Sequence, residues 1–260
     1  MSTEHHHNPF ASKSARLLLF LGVFLVTNAL LAEFIGVKIF SLEATMGWKP
    51  FNWHVFGQSG TLNFTVGVIL WPFVFIMSDI INEYFGVKGV KRLSYLAVAF
   101  ILYAFLIVFI AIRLAPAGFW PDSYQSKGVN NMQSAYSAIF GQGQWIIAGS
   151  LVAFLLGQLV DVYVFHMIKK MTGEKYMWAR AQLSTVVSQL IDSIVVLYIA
   201  FVLSGQWSVQ LWLAIATVNY CYKLLAALVL TPLLYIIHGW IDRYLGEELS
   251  LKMREEAMKN

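Results

Sequence analysis

Long hydrophobic stretches, each about the length of a membrane-crossing helix, dominate the sequence. They lie near residues 17–40, 62–82, 93–114, 145–168, 182–203 and 211–237. A helix of roughly 20 apolar residues crosses a hydrocarbon core of about 30 Å. Segments such as LSYLAVAFILYAFLIVFIAIRL are apolar on every face and lack the alternation of a strand in a membrane barrel. The pattern predicts an all-α integral membrane protein with six transmembrane helices.

Composition agrees with this prediction. Of 260 residues, 58% are hydrophobic and only 12% are charged, which excludes an ordinary soluble domain with a polar shell. Cys221 is the only cysteine, so an intrachain disulfide and a thiolate metal cluster are both excluded. We predict no cofactor and no metal.

The basic residues predict the orientation of the chain. Thirteen of the 18 Lys and Arg residues fall at the termini or in alternate loops, which places these segments and both termini in the cytoplasm. Topology therefore accounts for the net charge of +4, and we predict no nucleic-acid partner. The predicted organisation is a disordered cytoplasmic terminus at residues 1–15, a transmembrane domain at 16–240 and a charged cytoplasmic tail at 241–260.

Two outer loops, residues 41–61 and 115–144, are longer than a tight connection requires. They are candidates for lids over an internal site. The alternative is that their aromatic residues, such as Trp48 and Trp53, belong to the interfacial belt of the membrane.

Asp192 and Lys223 lie near the centres of the last two hydrophobic stretches, where an unpaired charge is costly. Counting about 1.5 Å per residue places them at similar depth. Gln182, Thr185 and Gln189 precede Asp192 at helical spacing, so the four side chains share one helical face. We predict that this face points into the bundle and that Asp192 pairs with Lys223.

The candidate binding residues are polar side chains within the hydrophobic stretches. They are Asn28, Asp79, Gln158, Asp161, Gln189, Asp192, Asn219 and Lys223. Carboxylates accept pairs of N–H groups, amides both donate and accept, and aromatic faces stack on flat rings. The set suits a small, planar, polar ligand such as a nucleobase, although composition does not choose this over an amino acid or a vitamin-like solute.

Structural roles are the alternatives. The central ion pair could fix helix register only, and Asn28 could bridge helices rather than contact a ligand. Glu83 could lie at the interface and pair with Lys88. We expect His166 and Lys169 to lie at the membrane boundary.

Four segments form a specific set through their order and spacing: PFVFIMSDIINEYFG, LGQLVDVYVFHMIKK, SQLIDSIVVLYIAF and NYCYKLLAALVLTPLLY. With them the sequence, over residues 20–237, resembles the bacterial queuosine precursor transporter family, also grouped as vitamin uptake transporters. The resemblance implies uptake of 7-deazaguanine precursors of the tRNA base queuosine (7-cyano- or 7-aminomethyl-7-deazaguanine) across the inner membrane. It also implies a fold similar to the substrate-binding component of energy-coupling-factor transporters.

The motif residues carried over from the resemblance are Asp79, Gln158, Asp161, Asp192 and Lys223. Some relatives have an acid where this chain has Asn219, which leaves open whether Asn219 binds the ligand or supports Lys223. The implied partners are a 7-deazaguanine substrate and membrane lipid. A homo-oligomer and an energising partner protein stay open.

Two other classes of function make different requirements of the sequence. A membrane-bound binding subunit for another vitamin-like solute would need a separate energising protein. An intramembrane enzyme would need a nucleophile and a base on facing helices, but Ser150 and His238 are placed near opposite membrane faces. The sequence contains no H-E-x-x-H zinc motif and no P-loop, so the prediction is a transporter and not an enzyme.

Overall fold

A computed structural model describes residues 12–141, 143–172 and 176–259. Its helices are α1 (Lys13–Ile35), α2 (Leu42–Met46), α3 (Trp71–Arg113), α4 (Met132–Phe140), α5 (Gln144–Thr172), α6 (Met177–Leu197), α7 (Val209–Leu245) and α8 (Glu247–Lys259). Its strands are β1 (Ile39–Ser41), β2 (Trp53–Val55), β3 (Gln58–Gly60) and β4 (Asn63–Thr65). The predicted disordered terminus lies outside the described residues over 1–11, and α1 begins at Lys13, where Ser12 caps it by accepting the N–H of Ala15.

Within the described residues, five helices are long and apolar enough to cross a membrane. One of them, α3, has 43 residues and would span about 65 Å if straight, roughly twice the hydrocarbon thickness. It is not straight, because Gly86 has φ 68° and ψ −172°. A Cβ at this glycine would lie 2.8 Å from the backbone oxygen of Ala257 in α8, so the turn also requires a residue without a side chain.

The contacts of α1 show that the chain reverses direction at this turn. The early residue Gly22 packs against Leu93, and the later residue Phe34 contacts Phe105 with ring centroids 5.4 Å apart. Helix α1 therefore runs parallel to the part of α3 that follows Gly86, which we call its second arm; the part before Gly86 is its first arm. Close to its end, α1 instead meets Gly67, just before the first arm begins. The two arms of α3 therefore run in opposite directions beside α1.

Helices α6 and α7 pack as antiparallel neighbours, as the short connection between them predicts. Tyr220 donates to the Val186 carbonyl, and the Trp212 indole donates to the Ile194 carbonyl at 3.1 Å. Helix α5 packs on α6 through glycines. A Cβ at Gly149 would lie 2.9 Å from the Val196 oxygen, so the absence of a side chain brings these two backbones together.

The four short strands lie between α1 and α3, and we call this part of the molecule the strand end. Strand β1 pairs antiparallel with β4, and β2 pairs antiparallel with β3, in a stretch that the sequence predicts largely as an outer loop. Trp53 donates its indole N–H to the Thr61 carbonyl at 2.9 Å, while Trp48 is exposed. Phe64 contacts the ring of Tyr222 in α7 with centroids 4.4 Å apart, so this loop touches the bundle one residue from Lys223.

The carboxylate of Glu43 holds the strand end together. It accepts the backbone N–H of Leu62 at 2.7 Å, the hydroxyl of Ser41 at 3.0 Å and the backbone N–H of Phe51 at 3.3 Å. The hydrogen bond from Leu62 is the main cause that holds the pKa of Glu43 below its usual value. The ionised form therefore stabilises the loop, fully above the unfolded pKa of about 4.3, and this stabilisation is lost as pH falls through the lower folded pKa.

We expect acidification below about pH 4 to open the strand end. Hydrogen–deuterium exchange, corrected for the intrinsic rate at each pH, should show protection of residues 39–65 at neutral pH and its loss in acid. Glu43→Gln should lack this protection already at neutral pH, and the matched variant Asp122→Asn, in the other long loop, should behave like the unsubstituted protein. Equal protection in Glu43→Gln at neutral pH would contradict the assignment.

Helix α8 packs against the turn at Gly86. Its buried residues are Ser250, Met253 and Ala257. Ser250 donates to Asp242 of α7 at 2.5 Å, and Tyr84 of α3 donates to the same carboxylate at 2.8 Å. We call this part of the molecule, the turn at Gly86 with α8 and the basic residues Lys88, Lys91 and Arg92, the basic end. The tail is therefore helical and packed, in addition to being charged.

Candidate functional site

Three helices enclose a narrow internal cavity. Its lining residues recur at helical spacing, so each helix presents one face: Pro72, Phe75, Ile76 and Asp79 from α3, Ala181, Gln182, Thr185 and Gln189 from α6, and Lys223, Ala227, Thr231 and Leu234 from α7. Only about 30 Å³ of the space admits the centre of a water molecule. The cavity therefore has room for one or two waters, and a bicyclic ring requires the helices to separate.

The polar face predicted for α6 does point into the bundle. Gln182 donates its amide to the Thr231 hydroxyl of α7 at 2.6 Å, which links the two helices across one end of the cavity. Thr185 and Gln189 follow on the same face and are both buried. The helical spacing alone predicted this arrangement.

The Nζ atom of Lys223 forms an ion pair with the Asp192 carboxylate, as the sequence predicts from their similar depth. Lys223 lines the cavity, whereas Asp192 lies behind it. Glu33 of α1 accepts the Ser150 hydroxyl at 2.5 Å and lies close enough to Asp192 to interact with it electrostatically. The lysine ammonium is thus the positively charged group that a molecule in the cavity would meet.

Gln158 and Asp161 of α5 form a second layer behind the cavity. Ser78 donates to Gln158 Oε1 at 2.7 Å, and Ser188 donates to Asp161 Oδ1 at 3.0 Å. Both residues of α5 are only 1% exposed, and neither lines the cavity. Of the predicted acids, Asp79 is the one with direct access to this space.

A buried charge cluster follows toward the basic end. Arg180 of α6 contacts both carboxylate oxygens of Glu83, at 2.9 and 3.0 Å. Lys169 of α5 lies 3.2 Å from the same carboxylate and donates to the Glu83 backbone oxygen at 2.9 Å. Lys169 is only 1% exposed, so its ammonium is buried against Glu83, and its position at the membrane boundary stays a prediction. Glu83 is likewise buried among these cations, rather than paired with Lys88 at the interface.

Asn28 and Asn219 lie outside the cavity lining. Each donates its side-chain amide to the carbonyl four residues earlier in its own helix, Asn28 to Phe24 at 2.9 Å and Asn219 to Ile215 at 3.0 Å. A binding role for either residue stays a prediction that the cavity geometry does not favour.

The comparison with known families matches two thirds of the chain. Residues 65–237 match the family described as "Putative vitamin uptake transporter". The chain belongs to this family. Together with its apolar helices, this makes the chain a multi-pass membrane protein of the vitamin uptake transporter family.

Two relatives of this vitamin uptake transporter family member illustrate the similarity. The chain is 28% identical over 183 residues to the "Probable queuosine precursor transporter" of Bacillus subtilis (strain 168), covering 70% of this chain and 73% of the relative. It is 28% identical over 166 residues to the "Queuosine precursor transporter" of Escherichia coli (strain K12), covering 64% of this chain and 68% of the relative. No solved structure matches significantly.

The part matched by the family contains the cavity, the second layer of polar residues behind it and the buried charge cluster. The sequence reasoning missed several of these groups, namely Ser78, Ser188, Lys169, Arg180 and Thr231. Two signals were present in the sequence. Ser188 repeats Ser184 at a four-residue interval, and Thr231 lies two turns from Lys223 on one face of α7.

Proposed function

We propose that this protein imports queuosine precursors, either 7-cyano- or 7-aminomethyl-7-deazaguanine, across the bacterial inner membrane. The observation that carries the proposal is the polar cavity between α3, α6 and α7, in a chain whose relatives are named queuosine precursor transporters. The 7-deazaguanine ring presents N–H donors on one edge and a carbonyl oxygen beside them. The cavity offers a carboxylate, a lysine ammonium and side-chain amides, which complement both groups.

In this proposal, Asp79 accepts the N–H donors of the ring, and Lys223 or Gln189 donates to its carbonyl oxygen. Charge-assisted hydrogen bonds of this type are the strong ones. Phe75 of α3 supplies an aromatic face next to the same space. Because the cavity is too narrow for the ring, binding requires α7 to move away from α3 and α6. Pro232 inside α7 removes one backbone hydrogen bond and gives that helix a place to bend.

We further propose that the two arms of α3 are separate membrane crossings, which makes six crossings in total. The reversal at Gly86 and the length of α3 support this assignment. The basic end then faces the cytoplasm together with both termini, because Lys88, Lys91 and Arg92 follow the turn directly. An even number of crossings is consistent with that orientation.

Other functions make different demands on the chain. A binding subunit with an energising partner would not move substrate alone. Uptake by the purified protein in liposomes would therefore exclude an obligate partner. For an intramembrane enzyme, Ser150 and His238 would have to meet, but Ser150 donates to Glu33 and His238 pairs with Asp242 at 3.1 Å.

Accumulation of labelled 7-cyano- and 7-aminomethyl-7-deazaguanine in cells that make neither compound tests the proposed function. Expression of the protein should restore accumulation of at least one of them. Gln189→Leu, which keeps the volume but removes the amide, should raise the half-saturating concentration about tenfold, because a lost hydrogen bond leaves a buried group unpaired at about 1–3 kcal/mol. Gln206→Ala, which removes an exposed loop amide, should leave uptake unchanged.

Failure of the unsubstituted protein to restore either compound would reject the substrate class. Equal uptake in Gln189→Leu at equal protein level would reject the role of that amide. Both measurements require quantification of the protein in the membrane fraction.

A further inference from the structure

Asp79 and Asp161 face each other across the contact between α3 and α5. The residues on either side establish this register, because Ser78 bonds to Gln158 at 2.7 Å and the Asn82 amide donates to the Val162 carbonyl at 3.2 Å. The intervening acids are therefore opposite one another. Their carboxyl groups lie within hydrogen-bonding range.

Neither acid has its hydrogen bonds completed. Within the described residues, no donor reaches Oδ1 of Asp79 or Oδ2 of Asp161, although the two residues are only 3% and 1% exposed. The neighbouring Gln158 Nε2 and Asn82 Oδ1 are buried without partners as well. Two carboxylates can only accept hydrogen bonds, so a proton shared between them supplies the donor that this site lacks.

The surrounding charges leave room for one proton. Glu83, Lys169 and Arg180 together carry one positive charge and lie one turn away toward the basic end. Lys223, which faces Asp79 across the cavity, is already neutralised by Asp192. Two carboxylates this close repel each other when both are ionised, and a single shared proton removes one of the two negative charges.

We propose that Asp79 and Asp161 form a proton-binding site that couples substrate import to proton import. This inference rests on the proposed function. In the loaded state, Asp79 and Asp161 share one proton between their facing oxygens, and Ser188 donates to Oδ1 of Asp161. The second oxygen of Asp79 accepts the N–H groups of the substrate. Without the proton, the substrate would have to enter beside two adjacent negative charges, so substrate and proton bind together and one proton enters with each substrate molecule.

Infrared difference spectroscopy of the purified protein detects the proton without any substrate. The C=O stretch of a protonated carboxyl should be present at neutral pH and lose amplitude in Asp79→Asn and in Asp161→Asn, because either substitution removes the repulsion that retains the shared proton. Asp122→Asn, which removes an exposed acid, should leave the spectrum unchanged. In Ser188→Ala, which removes only a donor to Asp161, the band should persist to higher pH. A neutral-pH spectrum identical in all four variants would overturn the proton site.

Proteoliposomes containing only this protein test the coupling. With the membrane potential clamped, an inward gradient of one pH unit should accumulate 7-deazaguanine precursor up to about tenfold, the limit for one proton per substrate. Asp161→Asn, whose amide can donate permanently to Asp79, should continue to exchange labelled for unlabelled substrate but should not accumulate it against a gradient.

The two proposals fail in different ways. Exchange without any response to the pH gradient would reject proton coupling and leave the transport function intact. Accumulation driven by a sodium gradient instead would also reject it. Absence of exchange would reject the transport function, and the infrared measurement would then decide the proton site by itself.

Discussion

Replacement of Glu83 by Gln is expected to destabilise the folded protein by about 3–5 kcal/mol. The side chain is fully buried between Arg180 and Lys169, and the amide would leave two buried cations facing a neutral group. Thermal unfolding in detergent measures the loss of stability. Gel filtration checks that the variant is monodisperse.

A surface substitution provides the control for this cluster. Lys91→Gln removes an exposed cation at the same end of the molecule and should change the free energy of unfolding by less than about 0.5 kcal/mol. A loss in Glu83→Gln no larger than that in Lys91→Gln would contradict the role of the buried carboxylate.

Helical spacing and depth in the membrane predict part of the candidate site from the sequence alone. Helical spacing predicts which residues share a face, and Gln182, Thr185 and Gln189 do line the cavity together. Depth counting also predicts the pairing of Asp192 with Lys223, because both helices cross the same apolar layer. These are properties of single helices and of the membrane.

The spacing does not give the rotation of one helix relative to its neighbours. For that reason the sequence could not place Gln158 and Asp161 in a second layer, although it identified both residues. Lys169 and Arg180 flank a short connection, so hydropathy alone assigns them to the surface. Their burial depends on Glu83, which lies 86 and 97 positions away in the chain.

The strand end was missed for a different reason. Strands of three residues carry too few positions for an alternating pattern to be recognised. Glu43 stabilises them, because its carboxylate accepts backbone N–H groups from distant parts of one loop. The sequence gives no local sign that an acid in this loop accepts three hydrogen bonds.

Removal of either member of the central ion pair is expected to cost about 3–5 kcal/mol, whereas removal of both should cost much less. Lys223→Met leaves the Asp192 carboxylate near Glu33, with no cation to offset it in the described part of the site. Asp192→Asn leaves the lysine ammonium in the cavity wall. The double substitution leaves no charge at the pair, and nearly isosteric neutral side chains fill the space. Thermal unfolding of the four proteins gives the interaction free energy from a double-mutant cycle.

Uptake by the same four proteins separates an architectural ion pair from a binding role. If the pair only fixes helix register, the double variant should recover transport together with stability. We expect stability to recover and uptake of 7-deazaguanine precursors to stay at least tenfold below that of the unsubstituted protein, because Lys223 lines the cavity and supplies the charged donor to the substrate carbonyl. Labelled precursor accumulation at matched protein level provides the measurement. Full recovery of uptake in Asp192→Asn/Lys223→Met would assign the pair to architecture and leave Asp79 and Gln189 as the substrate contacts.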